Sequence, residues 1–86
     1  MVREAVAEEG YRLDILIDDK EPFVREAVAR QRYRLDILVN DEAYQVRVVV
    51  ANKGYELNKL IGDVHEDVRH AVARQKYRLD LSLIHI

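Results

Sequence analysis

The sequence has no cysteine, no tryptophan, one proline and three glycines in 86 residues. Without cysteine, the chain cannot form disulfides, use a thiolate nucleophile or hold zinc or iron–sulfur clusters through sulfur ligands. The glycines, Gly10, Gly54 and Gly62, are isolated, so the chain has no glycine-rich phosphate-binding loop. These shortages exclude several classes of enzyme, and we expect neither a cofactor nor a bound metal.

An excess of one charge and long apolar runs are also missing. Fourteen basic and 16 acidic residues give a net charge of −2 and are mixed along the chain. This balance argues against a general attraction to nucleic acids or anionic membranes. No uncharged apolar run approaches the length of a membrane span, and the first residues lack the apolar core of a signal peptide. We therefore expect a soluble protein without membrane contact, with the cytoplasm as the default compartment.

What the sequence does contain is a repeat with a period of 22 residues. VREAVAEEGYRLDILIDD begins at residue 2, VREAVARQRYRLDILVND at residue 24 and VRHAVARQKYRLDL at residue 68. A more divergent copy, VRVVVANKGYELNKLIGD, stays in register from residue 46. Each unit must solve the same packing problem, which is typical of stacked repeats. The expected organisation is one domain over residues 1–86, with units 2–23, 24–45, 46–67 and 68–86.

The segment YRLDILV at residues 33–39 fits two kinds of secondary structure. Its apolar residues alternate with Arg34 and Asp36, as in a strand, and strands here would give a βαββαβ α/β sandwich. In the third copy Lys59 takes the place of Ile37, whereas the apolar positions spaced i, i+3, i+4 persist. We therefore favour an all-α fold, an α-solenoid of about four two-helix repeats, with the α/β sandwich as the alternative.

The apolar columns of the repeat also predict the core. Helices of eight to ten residues are too short to persist alone, so neighbouring units must hold them. Ile15 and Ile37 occupy a column expected to lean toward solvent, and Gly10 and Gly54 a column suited to a left-handed residue after the first helix. The expected core residues are Val24, Val28, Ala29, Leu35, Leu38, Val39, Val46, Val50, Ala51, Leu57, Leu60 and Ile61.

The pattern D-x-x-x-x-V-R-x-A-V-A, followed by Y-x-L-D-x-L-I, resembles the short bacterial HEAT-like repeats and the related leucine-rich-repeat-variant units. The resemblance covers almost the whole chain. It implies a ladder of hydrogen bonds between successive repeats, formed by an Asp and an Arg six residues apart. It also implies roles as scaffolds, as nucleic-acid-binding surfaces or occasionally as enzyme frameworks. The matching pairs are Asp19 with Arg25, Asp41 with Arg47, and Asp63 with Arg69.

The chain departs from this pattern after Asp80, where it reads LSLIHI. Ser82 then falls in an apolar leucine column and His85 in the aspartate column. LSLIHI resembles the translation of a sequencing adapter, which predicts that the fourth unit is interrupted and that the chain is a section of a longer array. The alternative is a natural cap formed by its apolar residues.

The residues suited to catalysis or metal binding do not form a known constellation. In HEDVRH, His65 and His70 are five residues apart, about 140° around a helix, whereas a zinc-binding HExxH helix needs a spacing of four. Asp14, Asp36 and Asp80 are separated by whole repeats rather than paired for acid–base work. We therefore expect a protein that is not an enzyme; an enzyme with a βαββαβ fold requires the strand interpretation.

A column of tyrosines followed by arginines is a candidate binding edge. Such residues could stack nucleic-acid bases and contact phosphates. The alternative, which we favour, is that each ring packs at the turn between helices, because columns that never vary usually serve the stacking of units. Glu56 also interrupts the basic row. The edge comprises Tyr11, Arg12, Tyr33, Arg34, Tyr55, Tyr77 and Arg78.

Two functions are consistent with this sequence. The first is a non-catalytic protein–protein interaction or scaffold module with an unknown protein partner, since the repeat is regular and catalytic constellations are missing. Its least regular positions, Tyr44, Gln45, Val64 and His65, are candidate partner contacts. The alternative is nucleic-acid binding through the Tyr/Arg edge, which predicts an affinity that falls steeply with salt.

Overall fold

The computed structural model describes the backbone of residues 3–84 and the side chains of residues 3–77. Residues 3–84 contain seven helices and no strand, so the all-α prediction is confirmed and the βαββαβ alternative is wrong. None of the helices in that range is both long and apolar enough to cross a membrane. The helices are α1 (Arg3–Glu8), α2 (Leu13–Leu16), α3 (Pro22–Arg30), α4 (Leu35–Leu38), α5 (Tyr44–Asn52), α6 (Leu57–Leu60) and α7 (Glu66–Ile84).

Helices α1, α3, α5 and α7, here termed the major helices, form one layer. They pack side by side in chain order, α1 on α3, α3 on α5 and α5 on α7. The one-turn helices α2, α4 and α6 each contact the major helix before and the major helix after them. A helix of four residues has no stability of its own. The one-turn helices therefore depend on being held between two consecutive major helices.

The three aspartates that precede α3, α5 and α7 close a tight turn before each helix. Asp19 Oδ1 accepts a hydrogen bond from the Glu21 N–H at 3.0 Å, and Asp41 and Asp63 accept the equivalent bonds from Ala43 and His65, each at 2.9 Å. These are Asx turns, in which the side chain bonds the backbone two residues on. The helix then begins one residue beyond the bonded N–H.

After each of the first three major helices, the chain reverses through two left-handed residues. The first position is Gly10, Arg32 or Gly54, with φ of 80°, 59° and 75°. The left-handed turn expected at Gly10 and Gly54 is thus confirmed. The second position is Arg12, Arg34 or Glu56, with φ of 54°, 49° and 53°, and no residue pattern predicted it. Side chains disfavour this conformation, so burial of the following one-turn helix must compensate for it.

The core follows the predicted columns with two exceptions. Leu57 is only half-buried, and Ile61 is 50% exposed, so its assignment to the core is wrong. Val39, in the same column as Ile61, is 4% exposed, because the next unit lies over it and Lys59 there reaches Asn40. Ile61 is followed by α7, which brings no one-turn helix beside α6. The buried residues are Ala7, Leu16, Val24, Ala27, Val28, Ala29, Leu35, Leu38, Val39, Val46, Val49, Val50, Ala51, Leu60, Val68, Ala71 and Val72.

The fourth unit does not form the expected two helices, since α7 continues through the place where the others turn. The first three units anchor their one-turn helices through Leu16, Leu38 and Leu60, which are 8%, 1% and 1% exposed. The corresponding residue is Ser82. Without an apolar anchor, no burial offsets the strain of a left-handed turn. A continuous helix avoids that turn and satisfies its backbone hydrogen bonds internally. The side chains of LSLIHI lie outside the described residues. The predictions of an interrupted unit and of a natural cap therefore both fall on residues that the structure does not describe.

Candidate functional site

The aspartates and arginines of the repeat form a continuous hydrogen-bonded ladder. Arg25 Nη1 donates to the main-chain carbonyl of Asp19 at 2.7 Å, and its Nε and Nη2 donate to the two carboxylate oxygens of Asp41 at 2.7 and 3.0 Å. Arg47 repeats this arrangement, with its Nη1 2.6 Å from the Asp41 carbonyl and its Nε and Nη2 2.7 and 3.0 Å from the Asp63 carboxylate. Each such arginine therefore ties together two successive turns.

The three pairs implied by the resemblance form hydrogen bonds, and Arg25 and Arg47 each bind a second aspartate as well. The Asp and Arg six residues apart do meet, but through the aspartate's main-chain carbonyl; Arg69 Nη1 also binds the Asp63 carbonyl, at 2.6 Å. The carboxylate instead binds an arginine 16 residues earlier in sequence. Arg3, which has no aspartate before it, thus still has Asp19 as a partner, at 2.6 Å. A bidentate fork fits a carboxylate better than a single contact does, which explains the preference.

Hydrogen bonds favour the ionised forms of Arg25 and Asp63 against the effect of burial. The hydrogen bond to Asp41 raises the pKa of Arg25 above its usual value, against the opposing effect of burial. Burial raises the pKa of the Asp63 carboxyl, but hydrogen bonds from Arg47 and the His65 N–H, together with the Arg47 charge, outweigh it and leave the pKa lowered. A carboxylate held in this way is a poor general acid. We read the ladder as structural.

The predicted Tyr/Arg edge is not a uniform surface. Tyr11 and Tyr77 are 64% and 65% exposed, whereas Tyr33 and Tyr55 are half-buried and pack against the core. Arg34 is engaged by Asp36 at 3.1 Å through two hydrogen bonds. Exposed Arg12 lies beside Tyr11. The side chain of Arg78 lies outside the described residues.

The histidines have separate roles. His65 stacks on Tyr44 with ring centroids 3.7 Å apart and planes 6° from parallel, and its Nδ1 accepts the Asp67 N–H at 3.1 Å. His70 lies one turn further along α7 and is exposed. Within the described part of the chain, no group of three or more potential ligands could hold a metal ion.

An open groove of about 560 Å³ runs across α5 between α3 and α7. Val49, 8% exposed, and the half-buried Val48 contribute its apolar surface. Glu26 lines the groove from α3. Asp67 and Arg74, about two helical turns apart, line it from α7. The full lining is Glu26, Tyr44, Gln45, Val48, Val49, Asn52, Asp67, His70 and Arg74.

The third unit departs from the other units at two places, α6 with the residue before it, where Glu56, Asn58 and Lys59 stand, and the groove. Val48 takes the place held by glutamate or histidine in the other units, and Val49 takes a place otherwise held by alanine. Asn52 replaces a charged residue. The buried face of α5, with Val46, Val50 and Ala51, keeps the repeat pattern. Val48 and Asn52 leave the groove with less charge than the same surface has in the other units, and an open apolar surface of this kind makes the groove the candidate functional site.

Sequence reasoning found part of this site. It named Tyr44 and Gln45 as irregular, and both line the groove. It also named His65, which touches the groove only through its stack on Tyr44, and Val64, which is 92% exposed and does not line it. It missed Val48 and Val49, although comparing the four copies column by column would have marked both. Comparisons with protein-family models, curated proteins and solved structures found no match.

Proposed function

We propose that this protein is a non-catalytic protein-interaction or scaffold module that binds a segment of a partner in the groove between α3, α5 and α7. The observation that carries the proposal is the placement of the third unit's departures. Val48 replaces a glutamate or histidine and Asn52 replaces a charged residue, so the third unit removes charge and adds apolar area at one open surface. Such substitutions cost solubility unless something covers them.

The same proposal includes the architecture, an α-solenoid of four repeats of the HEAT-like kind. Three features support it: the 22-residue period, the side-by-side packing of the major helices, and the ladder that Arg25 and Arg47 make between successive turns. In a solenoid each unit contacts only its neighbours, and the resulting layer offers an extended surface for binding. A non-enzymatic role fits the structural use of the ladder carboxylates.

The groove's charges suggest how a bound segment would be oriented. Asp67 stands in the first turn of α7 and Arg74 two turns later, about 10 Å along the helix axis. Glu26 adds negative charge on the α3 side. A segment with an apolar side chain over Val48 and Val49, a basic residue toward Asp67 and an acidic residue toward Arg74 would match the groove. Charge complementarity of this kind sets orientation more than affinity.

The test is selection of peptides from a random library on the wild-type chain, followed by affinity measurement with two variants. Val48→Glu introduces the residue type that Glu26 has in the same column, so the fold has a precedent for it. Ile37→Lys, which has its precedent in Lys59, changes an exposed residue away from the groove. We expect about a tenfold or larger loss of affinity with Val48→Glu and none with Ile37→Lys. Equal affinity for all three proteins would refute the proposed site.

Nucleic-acid binding through the Tyr/Arg edge remains the second candidate, because Tyr11 and Tyr77 are largely exposed. The pairing of Arg34 with Asp36, and of Arg30 with Glu4 and Glu8, reduces the positive charge available nearby. Fluorescence anisotropy with single-stranded DNA and RNA at low salt decides between the two functions. Binding that weakens steeply with salt and is lost in Tyr11→Ala would favour nucleic acid; absence of binding would remove this candidate.

A further inference from the structure

Helices α1 and α7 each pack against only one other major helix in the described part of the chain. Their opposite faces carry residues that are buried elsewhere in the repeat. Ala73 of α7 is exposed, although Ala29 and Ala51, its equivalents, are fully buried by the next unit. Ala5 of α1 is exposed, although its equivalent Ala27 is fully buried by the preceding unit. Both faces therefore present a small residue at a position that the interior of the layer uses for packing.

The charges on the two faces are opposite. Residues 68–77 on α7 include three cations and no carboxylate. Glu4 and Glu8 on α1, with Glu9 directly after it, make that helix acidic. Surfaces of opposite charge attract each other where they meet, and the attraction weakens with ionic strength. The α7 face therefore suits an acidic helix, and α1 is such a helix.

Contacts inside the layer show which positions meet when one major helix follows another. Arg30 Nη2 lies 3.0 Å from Glu8 Oε1 across α3 and α1, and these two residues share a column. Arg32 Nη1 donates to the Lys53 carbonyl at 3.2 Å in the next unit. Transferred by the period of 22 residues, the first contact brings the Arg74 guanidinium to the Glu8 carboxylate of an α1 that follows α7, and the second brings Lys76 to the main-chain carbonyl of Glu9.

We propose that the α7 face binds the α1 face of a second copy of this chain, so that copies stack head to tail and continue the layer of major helices. The packing is the same as that of α1 on α3, with Ala73 and Ala5 in the places of Ala7 and Ala27 and the Arg74–Glu8 pair beside them. Such a contact uses two different surfaces and does not close on itself, so association continues into longer chains of copies as concentration rises.

Sedimentation velocity over a concentration series at low salt tests this proposal. For the wild type we expect a sedimentation coefficient that rises with concentration and falls back when salt is added. Ala73→Glu places a charge at the centre of the contact on an exposed helical position, and we expect it to stay monomeric. Asn58→Glu, an exposed change on α6, is the control and should associate like the wild type. A wild type that stays monomeric, or an Ala73→Glu variant that associates equally, overturns the proposal.

A charge exchange then identifies the partner surface. Arg74→Glu has a precedent in Glu8 and Glu8→Arg has one in Arg30, which all occupy the same column. Each variant alone puts like charges across the contact, and we expect about a tenfold weaker association. Mixed in equal amounts, the two variants restore opposite charges wherever one kind follows the other, and association should return toward that of the wild type. A mixture no stronger than the separate variants contradicts the head-to-tail arrangement.

Discussion

At the residue scale, the arginine ladder accounts for the repeated aspartates and arginines. Arg47 joins the Asp41 carbonyl to the Asp63 carboxylate, and both charged side chains are largely buried, 14% and 9% exposed. The sequence predicted that these residue types act together. It did not predict that the carboxylate partner lies 16 residues away, because an aspartate six residues away fits the same pattern. Only the backbone path decides between a carbonyl contact and a carboxylate contact.

Arg47→Ala should destabilise the fold by roughly 2–4 kcal/mol, because it leaves the Asp63 carboxylate and the Asp41 carbonyl without their donor in a largely buried place. The measurement is the free energy of unfolding from urea titration followed by circular dichroism. Arg34→Ala, which removes an exposed pair with Asp36, is the matched control and should leave the midpoint almost unchanged. Similar losses in both variants would mean that the ladder is not a main support.

The lowered pKa of Asp63 predicts a specific acid sensitivity. An unfolded aspartate titrates at about 3.9, and the folded carboxyl titrates lower, so its contribution is fully present above about pH 4 and is lost as pH falls through the folded pKa. Asp63→Asn keeps an oxygen for the His65 N–H but lacks the titrating charge. We expect the stability difference between wild type and Asp63→Asn to be constant from about pH 5 to 7 and to shrink below about pH 4. A difference independent of pH would argue against this assignment.

At the element scale, the major helices and their buried faces could be predicted from apolar spacing alone. The wrong predictions concern residues whose burial or turn depends on contact with the neighbouring unit. Ile61 was assigned to the core and is half exposed, because burial in its column requires a one-turn helix beside it. The uninterrupted course of α7 has a similar cause, because the sequence has Ser82 where each one-turn helix has its anchoring leucine. Spacing reports which face of an element is apolar, not whether another element covers it.

The left-handed turns lead to a prediction at this scale. Arg32 adopts φ of 59° at a position that is glycine in the first and third units. Arg32→Gly should stabilise the chain by about 0.5–1 kcal/mol, since relief of the left-handed strain exceeds the added freedom of the unfolded chain. Arg32→Ala removes the same contact with Lys53 without relieving the strain and serves as the control. Thermal unfolding should place Arg32→Gly above the wild type and Arg32→Ala at or below it; the reverse order would contradict a strained turn.

At the scale of the whole molecule, one layer of helices carries two different surfaces. The faces of α1 and α7 repeat the interior packing of the layer and suit another copy, whereas the groove across α5 departs from the repeat and suits a different partner. The sequence indicated the first through its regularity. It indicated the second only in part, because a groove is formed by three helices and no single column describes it.

The most direct test of the central claim, that the groove is the binding site, is nuclear magnetic resonance of the ¹⁵N-labelled chain titrated with a peptide selected on it. The experiment uses the Ala73→Glu variant, which we expect to stay monomeric, so that association of copies does not change the spectra. Residue 73 does not line the groove. We predict amide shift changes concentrated at Gln45, Val48, Val49, Asn52 and His70. Changes concentrated at Tyr11, Arg12, Tyr33 and Arg34 instead would contradict the claim and identify the Tyr/Arg edge as the binding surface.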